Sequence, residues 1–180
     1  YKANRKSIRK PLGYKKLEDY VILNHCCIGY PTLEADDVIG IEMTRLPTDT
    51  VAGYTFVTPS NERRISASID KDMLTIPCEY FNIDTEVTET VTEKLADYMH
   101  LYQTLVGDST DNYKGCPGVG PKKAADILKI PSWSRVVTAF EKAGLTSDDA
   151  LVQARVARIL RANEYNFETG EVILWEPLNN

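Results

Sequence analysis

Residues 107–128 run GDSTDNYKGCPGVGPKKAADIL, and the organisation of the whole chain can be worked out from them. Asp108 and Asp111 sit three apart in a polar loop that follows a long helical pattern. A turn punctuated by Gly115, Gly118 and Gly120 comes next, and Pro121 then opens a helix carrying Lys122 and Lys123. Proline at a first helical position sacrifices no hydrogen bond, and glycine lets backbone amides approach another surface closely. Amides at a helix start, with two lysines beside them, make a site for phosphate. Carboxylates able to hold metal therefore lie a few residues from groups able to hold a phosphodiester backbone.

Upstream of this stretch, residues 91–106 have the periodicity of a helix with Leu95, Tyr98, Met99, Tyr102, Leu105 and Val106 on its buried side. Strands are expected at 79–83 and 85–90, a short helical turn at 72–76, and strands at 64–69 and 54–59, with a loop at 47–53. The segment LEADDVIGIEMTRL, 33–46, reads as a helix with an acidic first turn. A turn at Pro31-Thr32 and a short strand at 26–30 precede it. Residues 14–25 suit a helix with Leu17, Tyr20 and Val21 facing inward. Downstream, helices are expected at 133–143, ended by Gly144, and at 148–163, capped by Ser147. A terminal hairpin spans 167–175 and turns at Thr169-Gly170. Strands interspersed with helices indicate an α/β fold with a helical C-terminal third.

At 180 residues, 43% hydrophobic and 26% charged, the chain has ordinary globular values and the length for a real core. No apolar run approaches membrane-spanning length, and YKANRKSIRK at the start lacks the apolar core of a signal peptide. Cys26, Cys27, Cys78 and Cys116 form no CxxC pair, which predicts reduced thiols in a cytoplasmic protein and argues against zinc. The net charge is −5, yet its placement matters more than its total. Removing the seven negative charges assigned below to metal ligation leaves +2. Lys2, Arg5, Lys6, Arg9, Lys10, Lys15 and Lys16 precede the first acid, Glu18. Such a basic segment is either a solvated tail or a contact for nucleic acid.

Three acidic groups stand at the ends of expected elements. Glu34, Asp36 and Asp37 occupy a first helical turn, where acids also compensate the helix dipole. Asp70 and Asp72, in SIDKD, come as an apolar strand ends; residues two apart on a strand share a face, though a simple turn also accommodates them. Asp108 and Asp111 fit a loop-capping role equally well. Taken together they suggest more, because active sites of α/β folds gather at the carboxyl edge of the strands. Acids packed there would raise one another's pKa, and divalent cations remove that penalty. All-oxygen ligation suits magnesium or manganese. Two such ions serve phosphodiester hydrolysis, activating water and stabilising charge on the attacking and leaving oxygens.

Other patterns lead nowhere. The spacing from Gly115 to Gly120 imitates a P-loop, but Pro121 stands where its lysine is required. Asp108, Asp111 and Asn112 lack the alternate ligands and closing glutamate of an EF-hand. His25 and His100 are lone histidines in helical patterns and read as structural or surface groups.

In YKANRK, LEADDVIG, SIDKDM, GDSTDNYKGCPGVGPKKAADIL, ARILRANEYNF and ILWEP the chain resembles the 5′-nuclease superfamily of the flap endonucleases, and within it the 5′→3′ exonucleases of short-tailed bacteriophages. The resemblance runs from residue 1 to about 177. It implies a PIN-like sheet with flanking helices over 1–106, opening on a basic gateway at 1–16. Next come an acidic loop and helix–hairpin–helix duplex-binding element at 107–130, and a helical C-terminal subdomain at 131–180. It implies that Glu34, Asp36 and Asp37 help bind a first metal, that Asp70 and Asp72 lie at or between two metals, and that Asp108 and Asp111 belong to the second. Lys2 and Arg5 would match gateway residues on the scissile phosphate, and Lys6 would join them in binding DNA. Gly115, Gly118, Gly120, Lys122 and Lys123 would grip duplex DNA through its backbone, with a potassium ion at the hairpin.

The expected activity is therefore two-metal hydrolysis, with magnesium or manganese, at 5′ ends of duplex DNA, extending to RNA in RNA–DNA hybrids. Its setting would be phage replication, primer removal or DNA degradation in the host cytoplasm. The family's first strand and further ligating aspartates lie upstream of the YKANR stretch. This leads to the expectation of a C-terminal piece, or of half of a split enzyme whose N-terminal half is a separate chain. A non-catalytic DNA-binding subunit and a structure-specific flap endonuclease are the alternatives. The short interval from residue 1 to the helix at 14 favours end-processing over a threading arch.

Overall fold

The computed structural model describes residues 10–46 and 63–177, together with two short strands at 50–51 and 54–55. Among the described residues the elements run α1 (Tyr14–Asn24), α2 (Ala35–Thr44), β1 (Thr50–Val51), β2 (Tyr54–Thr55), β3 (Ile65–Ser68), a 3-10 turn (Lys71–Thr75), β4 (Cys78–Asn82), β5 (Val87–Val91) and α3 (Glu93–Val106). They continue with α4 (Pro121–Ile127), α5 (Trp133–Lys142), α6 (Ser147–Val156), a second 3-10 turn (Ala162–Glu164), β6 (Tyr165–Asn166) and β7 (Glu171–Val172). The α/β class expected from the sequence holds.

The three-stranded sheet has the order β3-β4-β5, with β3 parallel to β4 and β4 antiparallel to β5. The parallel pair is joined through the 3-10 turn, whose Met73 and Ile76 enter a core with Tyr80, Val91 and Ala96. Ile39 and Met43 of α2 pack on that core, and Ile41 enters a second one with Leu160 and Tyr165. Helices α3 to α6 enclose a third core of Leu105, Cys116, Val119, Leu128, Val136 and Phe140. Val136 and Phe140, one turn apart on α5, show why that helix forms: a narrow apolar stripe on an otherwise polar segment.

Local rules placed most elements correctly, and the departures have identifiable causes. Helix α1 buries no residue: Leu17, Tyr20 and Val21 are exposed. Residues 26–30 form no strand, and Tyr30 docks instead against Tyr165 and Phe167. The strand expected at 54–59 is described only at Tyr54–Thr55, where it pairs with β1.

Helix α6 ends at Val156 rather than continuing to 163. The chain leaves the helix because Leu160 N–H donates to Asp37 Oδ1 at 3.0 Å and Ala162 N–H to Thr44 Oγ1 at 2.8 Å, both on α2. Close approach is required there, since a Cβ on Gly40 would lie 2.3 Å from Leu160 O. Its cap is Thr146 in a reciprocal box with Asp149, one residue before the expected Ser147. The terminal hairpin is shorter and earlier than expected, pairing Tyr165 with Val172, because the Asn166 side chain ties down Glu168 N–H and Thr169 N–H.

Candidate active site: a convergence of carboxylates

Strand β3 ends where Tyr80 OH, projecting from β4, donates to the carbonyls of Ser68 and Asp70 at 3.1 and 3.2 Å. The chain then turns, and Asp70 caps the 3-10 turn by accepting from Asp72 N–H at 2.9 Å. This fixes Asp70 and Asp72 as one unit at the strand's carboxyl end. The second pair is set by the end of α3. Gly107 N–H bonds to Gln103 O, and an antiparallel bridge between Asp108 and Tyr113 closes a tight loop. Inside it Asp108 Oδ1 accepts from Thr110 N–H at 2.6 Å and from Asp111 N–H at 3.3 Å. The 3-10 turn packs on α3, so two pairs far apart in sequence meet.

The meeting is visible in the electrostatics. Asp72 is pushed up to about 6, first by burial and then by the negative charges of Asp70, Asp108 and Asp111, with Lys71 opposing them. Burial alone would raise Asp108 too. The Thr110 amide, the Lys71 ammonium and the Asp111 amide outweigh it and hold Asp108 below the usual carboxylate range. Lys71 Nζ stands 3.3 Å from Asp108 Oδ2, and Asp108 raises the lysine in return.

The third acidic group opens α2. Glu34 is the exposed N-cap of α2, while Asp36 and Asp37 are half-buried. Asp37 gives one oxygen to Leu160 N–H, so part of its role is to hold the chain after α6. Among the described residues no three acidic, histidine or cysteine side chains stand in an arrangement that holds an ion as it is. Asp72 feels the charges of Asp70, Asp108 and Asp111, so the structure brings these four near one another. Those four suit a hard divalent cation on chemical grounds: all donors are carboxylate oxygens, and their mutual repulsion is what such a cation relieves.

Lys2, Arg5 and Lys6 lie outside the described residues. Gly118, Gly120, Lys122 and Lys123 are exposed around the start of α4, and a Cβ at Gly118 or Gly120 would meet nothing within 4 Å. Gly115 is different: it is buried, with its N–H committed to Gln153 Oε1 at 2.9 Å. His100 is structural, as expected. It is buried with Nε2 2.8 Å from Ala154 O, and burial followed by the Arg158 charge lowers it to about 3. All four cysteines are free.

Two residues at this site escaped the sequence reading. One is Lys71, between Asp70 and Asp72, with its ammonium on Asp108. Gln103 donates its amide to Asp72 Oδ1 at 2.6 Å from a buried position on α3. Of the expected buried side of α3, Leu105 is buried and Tyr98, Tyr102 and Val106 pack on the core, while Leu95 is exposed; Ala96, His100, Gln103 and Thr104 are buried beside them. The available signal was the stripe 96-100-103, at helical spacing and carrying polar side chains.

No family model matches the chain. An exonuclease of Escherichia phage T7 is 34% identical over 213 aligned residues, covering 98% of this chain and 67% of the relative. An exodeoxyribonuclease of Enterobacteria phage T3 is 32% identical over the same coverage. A flap endonuclease Xni of Shewanella piezotolerans is 28% identical over 156 residues, covering 80% of this chain and 57% of the relative. The chain spans about two thirds of the length of the phage relatives. Among the described residues no helix is long and apolar enough to cross a membrane.

Proposed function

We propose a function on the premise that the chain belongs to the 5′-nuclease superfamily, alongside phage exonucleases and flap endonucleases: it is a divalent-metal-dependent nuclease that hydrolyses phosphodiester bonds at 5′ ends of duplex DNA. The observation that carries this reading is the rise of Asp72 to about 6 through burial and the charges of Asp70, Asp108 and Asp111. An unrelieved cluster of this kind weakens a fold, and it has a use where a cation is bound beside a phosphate.

In this reading Asp70, Asp72, Asp108 and Asp111 hold the ions. Bound magnesium or manganese supplies a more acidic water and neutralises phosphate charge. Lys71, mostly exposed at the rim of the cluster, offers its ammonium to the incoming backbone. Gly118 and Gly120 leave the surface before α4 open, so that main-chain amides, with Lys122 and Lys123, hold a duplex by its phosphates. Lys2 and Arg5 are assigned to the scissile phosphate, and Lys6 to DNA binding, by the family pattern alone. Such contacts read no bases, so binding should be insensitive to sequence and weaken steeply with salt.

The test is release of label from 5′-labelled duplex DNA in magnesium, with EDTA as control. Asp70→Asn and Asp108→Asn should each lower cleavage by orders of magnitude and leave duplex binding in place. Undiminished cleavage by either variant would overturn the assignment. A second reading, a DNA-binding subunit without catalysis, draws on Asp37's bond to Leu160, a structural use for one of the expected ligands. It predicts that the unaltered chain binds duplex and releases no label at any magnesium concentration.

A further inference from the structure

Gln103 links Asp72 to the start of the loop that carries Asp108 and Asp111. Its side-chain amide donates to Asp72 Oδ1 at 2.6 Å, and its main-chain carbonyl accepts at 2.7 Å from Gly107 N–H, where the loop of Asp108 and Asp111 begins. Glutamine on a helix is ordinarily a surface residue, yet Gln103 is only 8% exposed. Its polar neighbours on the same buried face serve the fold: His100 bonds Ala154 O, and Thr104 Oγ1 donates to His100 O. Gln103 instead directs its amide at a carboxylate of the cluster. One N–H on one oxygen fixes the rotation of that carboxylate and hence the direction of its remaining lone pairs.

From this geometry we infer that Gln103 is a positioning residue for the cation site, setting Asp72 relative to the Asp108 loop. The inference rests on the reading of the four aspartates as ion ligands. Partners that orient a ligating group typically account for about 10–100-fold in metal affinity. The amide does so from α3, a regular helix, so the orientation is inherited from the helical core rather than from a loop.

The test is Mn2+ binding to the chain without DNA, followed by the loss of the free-ion electron paramagnetic resonance signal. Thermal unfolding in EDTA reports the fold. Gln103→Met keeps the side chain's length and removes the donor; Gln103→Asn keeps the amide and withdraws it by one carbon. Both should weaken Mn2+ binding by about 10–100-fold. In an Asp72→Asn background the same changes should have little further effect, since the group being oriented is no longer a charged ligand. Wild-type affinity in a folded Gln103→Met or Gln103→Asn chain overturns the inference and leaves the metal reading standing. So does an equal loss in the Asp72→Asn background. Should the unaltered chain bind no Mn2+, the metal reading falls first and takes this one with it.

Discussion

Gly107 and Gly115 stand back to back at the mouth of the acidic loop: a Cβ on Gly107 would lie 2.6 Å from Gly115 N, and one on Gly115 would lie 2.4 Å from Gly107 N. Both have positive φ, +73° and +62°. The seven-residue interval between them carries Asp108 and Asp111, so this contact closes the loop that presents half of the carboxylate cluster. No side chain fits on either partner without moving backbone.

Alanine at either position should therefore be expensive. Strain at such a φ costs on the order of 1–3 kcal/mol before the backbone overlap is added. Gly107→Ala and Gly115→Ala should each lower the urea unfolding free energy by at least that amount. Gly118→Ala, with φ +71° but open space around it, should cost about 1 kcal/mol. Equal losses at all three positions would show that the Gly107–Gly115 contact is not what closes the loop.

Asp72 makes a pH-dependent prediction. Its folded pKa, about 6, lies above the ordinary carboxylate value, because burial and three like charges disfavour ionisation. Between roughly pH 4 and 6 the folded state binds more proton than the unfolded state, so this group costs stability above pH 6 and the cost fades as pH falls. Asp72→Asn should stabilise the metal-free chain at pH 7, with Asn keeping an acceptor for Gln103. The gain should shrink towards pH 4, as measured by denaturant titration in EDTA.

His100 contributes with the opposite sign. Burial holds it at about 3 when folded, so below about pH 6.5 the unfolded chain takes up a proton that the folded chain refuses. Its contribution is full above pH 6.5 and is lost as pH falls, by up to about 1.4 kcal/mol per pH unit. His100→Gln should flatten that part of the stability profile. A profile between pH 7 and 5 that is identical with and without His100 would contradict the buried neutral ring.

Asp37 separates support from chemistry. Asp37→Ala leaves Leu160 N–H without its acceptor and should cost about 1–3 kcal/mol. Asp37→Asn keeps an oxygen for that bond and should unfold close to the wild type. A folded Asp37→Asn chain that binds Mn2+ like the wild type would leave Asp37 a structural support; a large loss would add it to the four ion-holding aspartates.

What was legible in the sequence was what short stretches of chain decide by themselves. The acids at element ends, the glycine turn, Pro121 at the start of α4 and the periodicity of α3 and α5 follow from caps, turns and spacing within a few residues. The family likeness rests on such segments and was legible for the same reason. The tertiary structure decided which of those pieces meet. Asp70 and Asp72 reach Asp108 because the 3-10 turn packs on α3, and Asp37 is turned to Leu160 because the chain beyond α6 packs on α2. Helical spacing put Gln103 and His100 on one side of α3, but their partners, 31 and 54 residues away, are fixed only by packing. Contacts between residues distant in sequence depend on how whole elements pack. They leave no trace in the local pattern of either partner.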